Sequence, residues 1–304
     1  MNILMTGGTG LIGAMFVKQF PAYQYTVLTR SIKRAERILP DSVSLMSSLD
    51  VLENLDEFDA VINLAGEAIA EKRWSDKQKQ RLCDSRWQLT EKLVGLFAKS
   101  NNPPAVFMSA SAVGVYGNRG DKLIGEDTSI AIADFPSQLC FTWESIARKA
   151  EAYTRCVILR TGVVLATEGG ALKKMLLPYS CYLGSVLGDG RQYMPWIHIH
   201  DQLNAMHFLM LNSLIHGPVN LVAPHQYTNS EFTDALASAL KRSAFLTIPA
   251  RLLKLLMGES SSLLLDSQRI NPNKLTRAGF EFSYPNLSLA LQQLVSNQAM
   301  KRGG

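Results

Sequence analysis

Asn2-Ile-Leu-Met-Thr-Gly-Gly-Thr-Gly-Leu-Ile-Gly13 decides how the rest of the chain is read. A short apolar run meeting glycines three residues apart describes a strand that turns tightly into a helix. Gly7 suits a backbone conformation that a side chain disfavours, Gly10 leaves room for a pyrophosphate at the helix N-terminus, and Gly13 lets helix pack on strand. The spacing is Gly7-x-x-Gly10-x-x-Gly13 rather than GxGxxG, and such a turn also serves as a plain βα connection. A dinucleotide reading therefore has to be carried by the residues that follow.

Working outward, Tyr25-Thr-Val-Leu-Thr29 reads as a second strand ending at Arg30. That position faces the adenosine ribose in a dinucleotide fold, where an acid would bond the 2′-hydroxyl and Arg would accommodate a 2′-phosphate. No acid follows the strand directly, while Arg30, Lys33 and Arg34 cluster there, which favours NADP over NAD. Ser42 to Met46 suggests a short third strand. Asp59-Ala-Val-Ile-Asn-Leu-Ala-Gly66 is a buried strand ending in small residues that leave room against the sheet. A long amphipathic helix is expected from Asp76 to Ser100, carrying Arg86 either as a surface salt-bridge residue or as part of the site. Ala105-Val-Phe-Met-Ser-Ala-Ser111 then brings two hydroxyls, Ser109 and Ser111, to the carboxyl edge of a parallel sheet, where ligands of such sheets bind.

The totals agree with an enzyme-sized α/β protein. At 304 residues the chain exceeds a typical domain of about 100–150, so one α/β domain with a smaller appendage is expected. Its formal charge of +5 is spread along the chain without a Lys/Arg block, which gives no reason to invoke nucleic acid and suits an anionic ligand. Cys83, Cys140, Cys156 and Cys181 lie far apart with no CxxC pair, as in a reduced cytoplasmic protein without disulfide framework or zinc site. A strand beginning at residue 2 without a basic leader is not expected to be a signal peptide, and no apolar run approaches the ~18 residues of a membrane span.

Further along, a helix is expected over Ser137 to Tyr153, a strand over Arg155 to Thr161, and an irregular region beyond residue 165. Leu183 to Gln192 reads as a glycine-rich loop. His198 and His200, two apart on an extended segment, would point the same way; without a third ligand no metal site is expected. Thr228-Asn-Ser-Glu-Phe-Thr opens a helix, with Ser230 as the expected N-cap.

Gly7-x-x-Gly10-x-x-Gly13, Asn63-Leu-Ala-Gly66-Glu67, Asp84-Ser-Arg86, Ser109-Ala-Ser-Ala-Val-Gly-Val-Tyr-Gly117 and Arg160-Thr-Gly162 together resemble the extended short-chain dehydrogenase/reductases. More narrowly, Gly66-Glu-x-Ile69 with Lys72-Arg-Trp74, Trp143-Glu144, Trp196-Ile-His-Ile-His200-Asp201 and Ser267-Gln-Arg269 are similar to an "epimerase family" branch with a DUF1731-type C-terminal domain. The resemblance covers Met1 to about Val295. It implies an α/β fold: an NAD(P)-binding Rossmann fold, doubly wound around about seven parallel strands, with a small, mainly helical C-terminal substrate domain. The expected division is 1–165 for the dinucleotide domain, with contributions from about 195–225, and 166–304 for the substrate domain, with a family-specific segment near 248–296.

By the same resemblance, Gly7, Gly10, Leu11 and Ile12 contact the pyrophosphate, with Thr9 and Gly13 in the same turn. Arg30 and Arg34 hold the 2′-phosphate of NADP(H), and Leu64, Ala65 and Gly66 line adenine and ribose. Arg86, Ser109 and Thr161 complete the cofactor set, with Ser109 and Ser111 near the nicotinamide. Extended members of the superfamily use Ser or Thr with Tyr-x-x-x-Lys, whose lysine lowers the tyrosine pKa. Here the stretch is Cys140-Phe-Thr-Trp-Glu144, and a carboxylate raises the pKa of a neighbouring acid. Ser111, Cys140 and Glu144 are the catalytic candidates, followed by Tyr116, Arg86, His198 and His200. The function expected is an NADP(H)-dependent oxidoreductase or nucleoside-diphosphate-sugar epimerase with a small polar substrate, as a homodimer. The alternative is an NADP(H)-binding sensor or interaction protein without catalysis.

Overall fold

The computed structural model describes residues 1–303, with side chains as far as Asn297. Its centre is a parallel sheet of β1 (Asn2–Thr6), β2 (Gln24–Leu28), β3 (Ser44–Met46), β4 (Ala60–Asn63), β5 (Val106–Ala112), β7 (Arg155–Thr161) and β11 (Gly217–Leu221). These seven strands lie in the order β11-β7-β5-β4-β1-β2-β3. Chain order reverses between β1 and β4, and in such sheets the crevice at the reversal receives the ligand.

The strands are near-continuous apolar runs because both faces are covered, as parallel sheets require. Side chains alternate between the two faces. Ile3, Met5, Ala60, Ile62, Val106, Met108, Val157 and Leu159 join one core, whereas Leu4, Val61, Phe107, Cys156 and Ile158 join the other. The first face is covered by α1 (Leu11–Gln19), α5 (Gly170–Ser180), α6 (Ile199–Leu211), α7 (Asn229–Ala239) and α11 (Leu287–Gly303); the second is covered chiefly by α3 (Asp76–Phe97) and α4 (Phe135–Ala147). The short helix α2 (Ile32–Ala35) follows β2.

Three two-stranded parallel pairs attach the remaining chain. They join β8 (Val163–Leu165) to β10 (Trp196–His198), β9 (Ser185–Leu187) to β12 (Leu246–Ile248), and β6 (Leu123–Ile124) to β13 (Arg269–Ile270). The C-terminal unit also holds α8 (Ala250–Met257), α9 (Ser262–Leu265) and α10 (Asn273–Arg277). The stretch expected as a glycine-rich loop thus contains β9, whose partner lies about sixty residues downstream and leaves no local signal.

Two further local expectations are corrected. The N-cap of α7 is Thr228, not Ser230: Thr228 Oγ1 accepts from the Glu231 amide at 3.3 Å, and Glu231 accepts from the Thr228 amide at 2.7 Å. Thr-x-x-Glu is a capping box, whereas Ser230 already lies inside the helix. His198 and His200 do not share an extended segment, because His198 ends β10 and caps α6, in whose first turn His200 lies. Among the described residues no helix is long and apolar enough to cross a membrane.

Candidate functional site

The glycine turn has the backbone that its sequence demands. Gly7 has φ +71°, and a Cβ there would stand 2.6 Å from the Leu64 carbonyl, so the turn presses on the end of β4. A Cβ at Gly13 would stand 2.6 Å from the Gly7 oxygen and 2.7 Å from Gly8 Cα, so this glycine packs α1 against its own turn more than against the strand. α1 begins at Gly10 with no side-chain cap and no acid in its first turn. A helix end in that condition offers N–H groups and a partial positive charge to an anion. Thr9, Leu11 and Ile12 are half-buried around it, and Gly10 is exposed. Arg30, Lys33 and Arg34 are all exposed past the end of β2.

Across the crevice, Leu64 and Ala65 are half-buried and Gly66 is exposed. Arg86 secures this loop and is not a surface salt-bridge residue. Its Nη2 donates to the Glu67 carbonyl at 2.8 Å, its Nη1 to the Leu82 carbonyl at 3.0 Å, and its guanidinium lies 5.3 Å from the Trp143 ring centroid. Burial pushes its pKa below the usual arginine range. A side chain at position 66 would collide with it, since a Cβ there would stand 2.9 Å from Arg86 Cζ.

Under the crevice floor runs a ladder of uncharged polar side chains. Thr6 Oγ1 donates to Asn63 Oδ1 at 2.6 Å, and Asn63 Nδ2 donates to Thr90 Oγ1 at 2.9 Å and Ser109 Oγ at 3.3 Å. Trp143 Nε1 donates to Thr90 Oγ1 at 2.8 Å. Ser109 is fully buried within this ladder. Thr161, at the end of β7, is half-buried.

Ser111, Cys140 and Glu144 come together at the carboxyl end of β5. Ser111 Oγ donates to Glu144 Oε1 at 2.7 Å, and Arg160 grips the same carboxylate with Nε at 2.9 Å and Nη2 at 2.7 Å. The Glu144 and Arg160 side chains are only 5% and 3% exposed, so this is a buried bidentate pair. Burial opposes the guanidinium charge, but the Glu144 hydrogen bonds and charge outweigh it and hold the Arg160 pKa above its ordinary value. Arg160 Nη1 also donates to the Tyr116 hydroxyl at 2.8 Å, which in turn donates to Asn220 Oδ1 at 2.8 Å. The Tyr116 pKa is raised by burial against the pull of Arg160. The Cys140 thiol is pushed up to about 11 by burial and by the charge of Glu144, so it stays protonated at neutral pH.

His198 and His200 stand apart from this cluster. His198 is buried, its Nδ1 accepts from the His200 amide at 3.0 Å, its Nε2 meets Gln293 Oε1 at 3.0 Å, and its ring stacks on Tyr284 at 3.9 Å. These contacts tie α11 to the sheet core. Among the described residues no group of three His, Cys, Asp or Glu is placed to hold a metal ion.

Sequence reasoning gave Arg160 no role, nor Asn63, Thr90 or Asn220. A signal existed for Arg160, the charge that closes the apolar strand Arg155-Cys-Val-Ile-Leu-Arg160. Buried charges are paired, and the facing helix offered Glu144. Asn63 stands in the Asn63-Leu-Ala-Gly66-Glu67 motif without a role of its own, and Thr90 and Asn220 are uncharged residues with no distinctive spacing.

A model of the NAD dependent epimerase/dehydratase family matches residues 3–222, and a model of a domain of unknown function, DUF1731, matches residues 248–294. The epimerase family protein SAR0825 of Staphylococcus aureus is 38% identical over 296 residues, covering 96% of this chain and 98% of that protein. Among solved structures, human epimerase family protein SDR39U1 (isoform 2), crystallised with NADPH, is 32% identical with a TM-score of 0.90, covering 98% of this chain and all of that one. A nucleoside-diphosphate sugar epimerase from Corynebacterium glutamicum is 26% identical with a TM-score of 0.75, covering 99% of this chain and 60% of that one. With a doubly wound parallel sheet, a glycine turn at its reversal point and matches along nearly its whole length, the chain belongs to the NAD dependent epimerase/dehydratase family.

Proposed function

We propose that this chain is an NADP(H)-dependent oxidoreductase whose Ser111 binds the reacting oxygen of a small polar substrate. The observation that carries the reading is Ser111 Oγ, fixed at 2.7 Å by a carboxylate that is itself locked by Arg160, at the carboxyl edge of the sheet two strands from the glycine turn.

The crevice fits a dinucleotide: the uncapped start of α1 suits a pyrophosphate, and the small, accessible Leu64-Ala65-Gly66 stretch suits a nucleoside. Exposed Arg30 and Arg34 suit a 2′-phosphate, and the human relative crystallised with NADPH supports that choice. The chemistry such a cofactor supplies is hydride exchange with a carbon bearing oxygen.

Because the Ser111 proton points to Glu144, its oxygen can accept from a substrate hydroxyl, in competition with the neighbouring Cys140 thiol. Both Glu144 oxygens are held by Arg160, and Oε1 also accepts from Ser111, so this carboxylate orients Ser111. Cys140 keeps its proton, and the Tyr116 hydroxyl is held between Asn220 and Arg160. The substrate proton therefore exchanges with water in the crevice. This favours simple alcohol–carbonyl interconversion over an epimerase cycle that takes and returns one proton on a fixed acid.

A panel of small aldehydes, ketones and sugars with NADPH, followed by absorbance, tests the reading. Ser111→Ala is expected to lower kcat on the order of a hundredfold while leaving NADPH affinity unchanged. Among the described residues, the titratable groups beside Ser111 are Glu144, held by Arg160, and Cys140, which keeps its proton, and this favours one second reading, a cofactor-binding sensor. Tight NADPH binding with no turnover on any panel member would favour it.

A further inference from the structure

A cavity of about 660 Å³ opens between the turn after β9, the loop after Tyr116, and the C-terminal helices α8 and α9. Asn118, Asp189, Lys254 and Asp266 face it. Its size suits a small-molecule site of roughly 300–1,000 Å³. Its wall is latched to the segment that follows Ser111: Gln268 Nε2 donates to the Val113 carbonyl at 3.1 Å and the Gly117 carbonyl at 3.0 Å. The Ser267 amide donates to Asn118 Oδ1 at 3.2 Å. The segment behind Ser111 and the wall bearing Asp266 are thus one continuous structure.

The charges of this wall decide what it can hold. Glu259 is engaged by Lys79 of α3, and Arg73 lies behind Gly258. That leaves Lys254 as the cation of the lining, against Asp189 and Asp266. Among the described residues, Asp189 Oδ1 accepts only the local amide of Arg191, at 3.0 Å. Among the described residues no donor is bonded to the Asp266 carboxylate and no acceptor to the Lys254 ammonium. A diphosphate needs several convergent cations or amides, and here two carboxylates would face it. Hydroxyl groups suit the same lining, because each can donate to a carboxylate and accept from an ammonium or amide.

We propose that this cavity binds the substrate through a phosphate-free polyhydroxylated group, a free sugar or polyol, held by Asp266 and Lys254, and not through a nucleoside diphosphate. The proposal rests on the oxidoreductase reading for its link to Ser111. Burial and neighbouring Asp134, countered by Lys254, raise the Asp266 pKa to about 6, so binding weakens as pH falls through that value and the acceptor is lost.

Saturation-transfer NMR on the full chain with NADPH present, using five- and six-carbon aldoses and alditols and UDP-glucose as probes, is the test. Expected is binding of at least one free sugar or alditol, weakened about tenfold or more in Asp266→Asn and in Lys254→Ala, with UDP-glucose unable to displace it. Tighter binding of UDP-glucose, absence of binding by every free sugar and alditol, or sugar binding indifferent to both substitutions would overturn it. NADPH fluorescence in the same samples reports folding of the variants. If NADPH binds and those results fail, this inference alone falls; if NADPH does not bind, the oxidoreductase reading falls.

Discussion

Replacing Glu144 by Gln tests the buried centre of the site. The substitution keeps size and one carbonyl acceptor but removes the charge opposite Arg160, whose guanidinium makes two hydrogen bonds to that carboxylate and is almost fully enclosed. Breaking a buried pair by removing one partner costs about 3–5 kcal/mol, because the surviving charge stays desolvated. Against a typical stability of about 5–15 kcal/mol, the variant should fold but melt on the order of 10 °C lower. Urea unfolding read by tryptophan fluorescence and circular dichroism measures the loss, and Trp143, bonded to Thr90 in the adjoining ladder, reports locally. Replacing both partners with apolar residues, Glu144→Leu with Arg160→Met, should recover most of it, since no isolated charge then remains. A Glu144→Gln variant within about 1 kcal/mol of wild type would refute this, because a buried unpaired guanidinium cannot be so cheap. So would a double variant that loses the sum of its single losses.

Three other outcomes are expected. Gly13→Ala places a Cβ against backbone atoms of Gly7 and Gly8 that cannot swing away, so NADPH affinity should fall about tenfold or more in a fluorescence titration; wild-type affinity would show that the turn opens freely. Arg30→Asp should weaken NADPH binding on the order of a hundredfold and NADH binding little, because only the 2′-phosphate distinguishes them; equal losses would mean that Arg30 does not read it. Burial drives the His198 pKa from 6.5 down to about 4, against its hydrogen bond to Gln293. The unfolded chain therefore takes up that proton first, and stability is lost as pH falls from 6.5 towards 4, by on the order of 3 kcal/mol. The stability advantage over His198→Asn should shrink across that window, and parallel pH curves would contradict the assignment.

The sequence revealed the elements whose physics is local. Three glycines and an apolar run specify the first βα turn, and uninterrupted apolar strands announce a sheet covered on both faces. Ser111 was legible because hydroxyls at a strand end lie where parallel sheets bind ligands. What stayed hidden depends on partners distant in sequence. The β9–β12 pair joins two three-residue segments about sixty residues apart. Glu144 read as a candidate acid or base until Arg160, on a neighbouring strand, occupied both its oxygens. The cap of α7 was misplaced by two residues because Ser230 is as good an N-cap type as Thr228, and only the Thr228–Glu231 reciprocity decides between them. His198 and His200 are two residues apart, but the chain passes from strand to helix between them, so their alternation does not hold.

The most direct test is a titration of the purified chain with NADPH and NADH, read by energy transfer from tryptophan to the reduced nicotinamide. One NADPH should bind per chain, with an affinity at least about tenfold above that for NADH. No saturable NADPH signal, or tighter binding of NADH, would contradict the account.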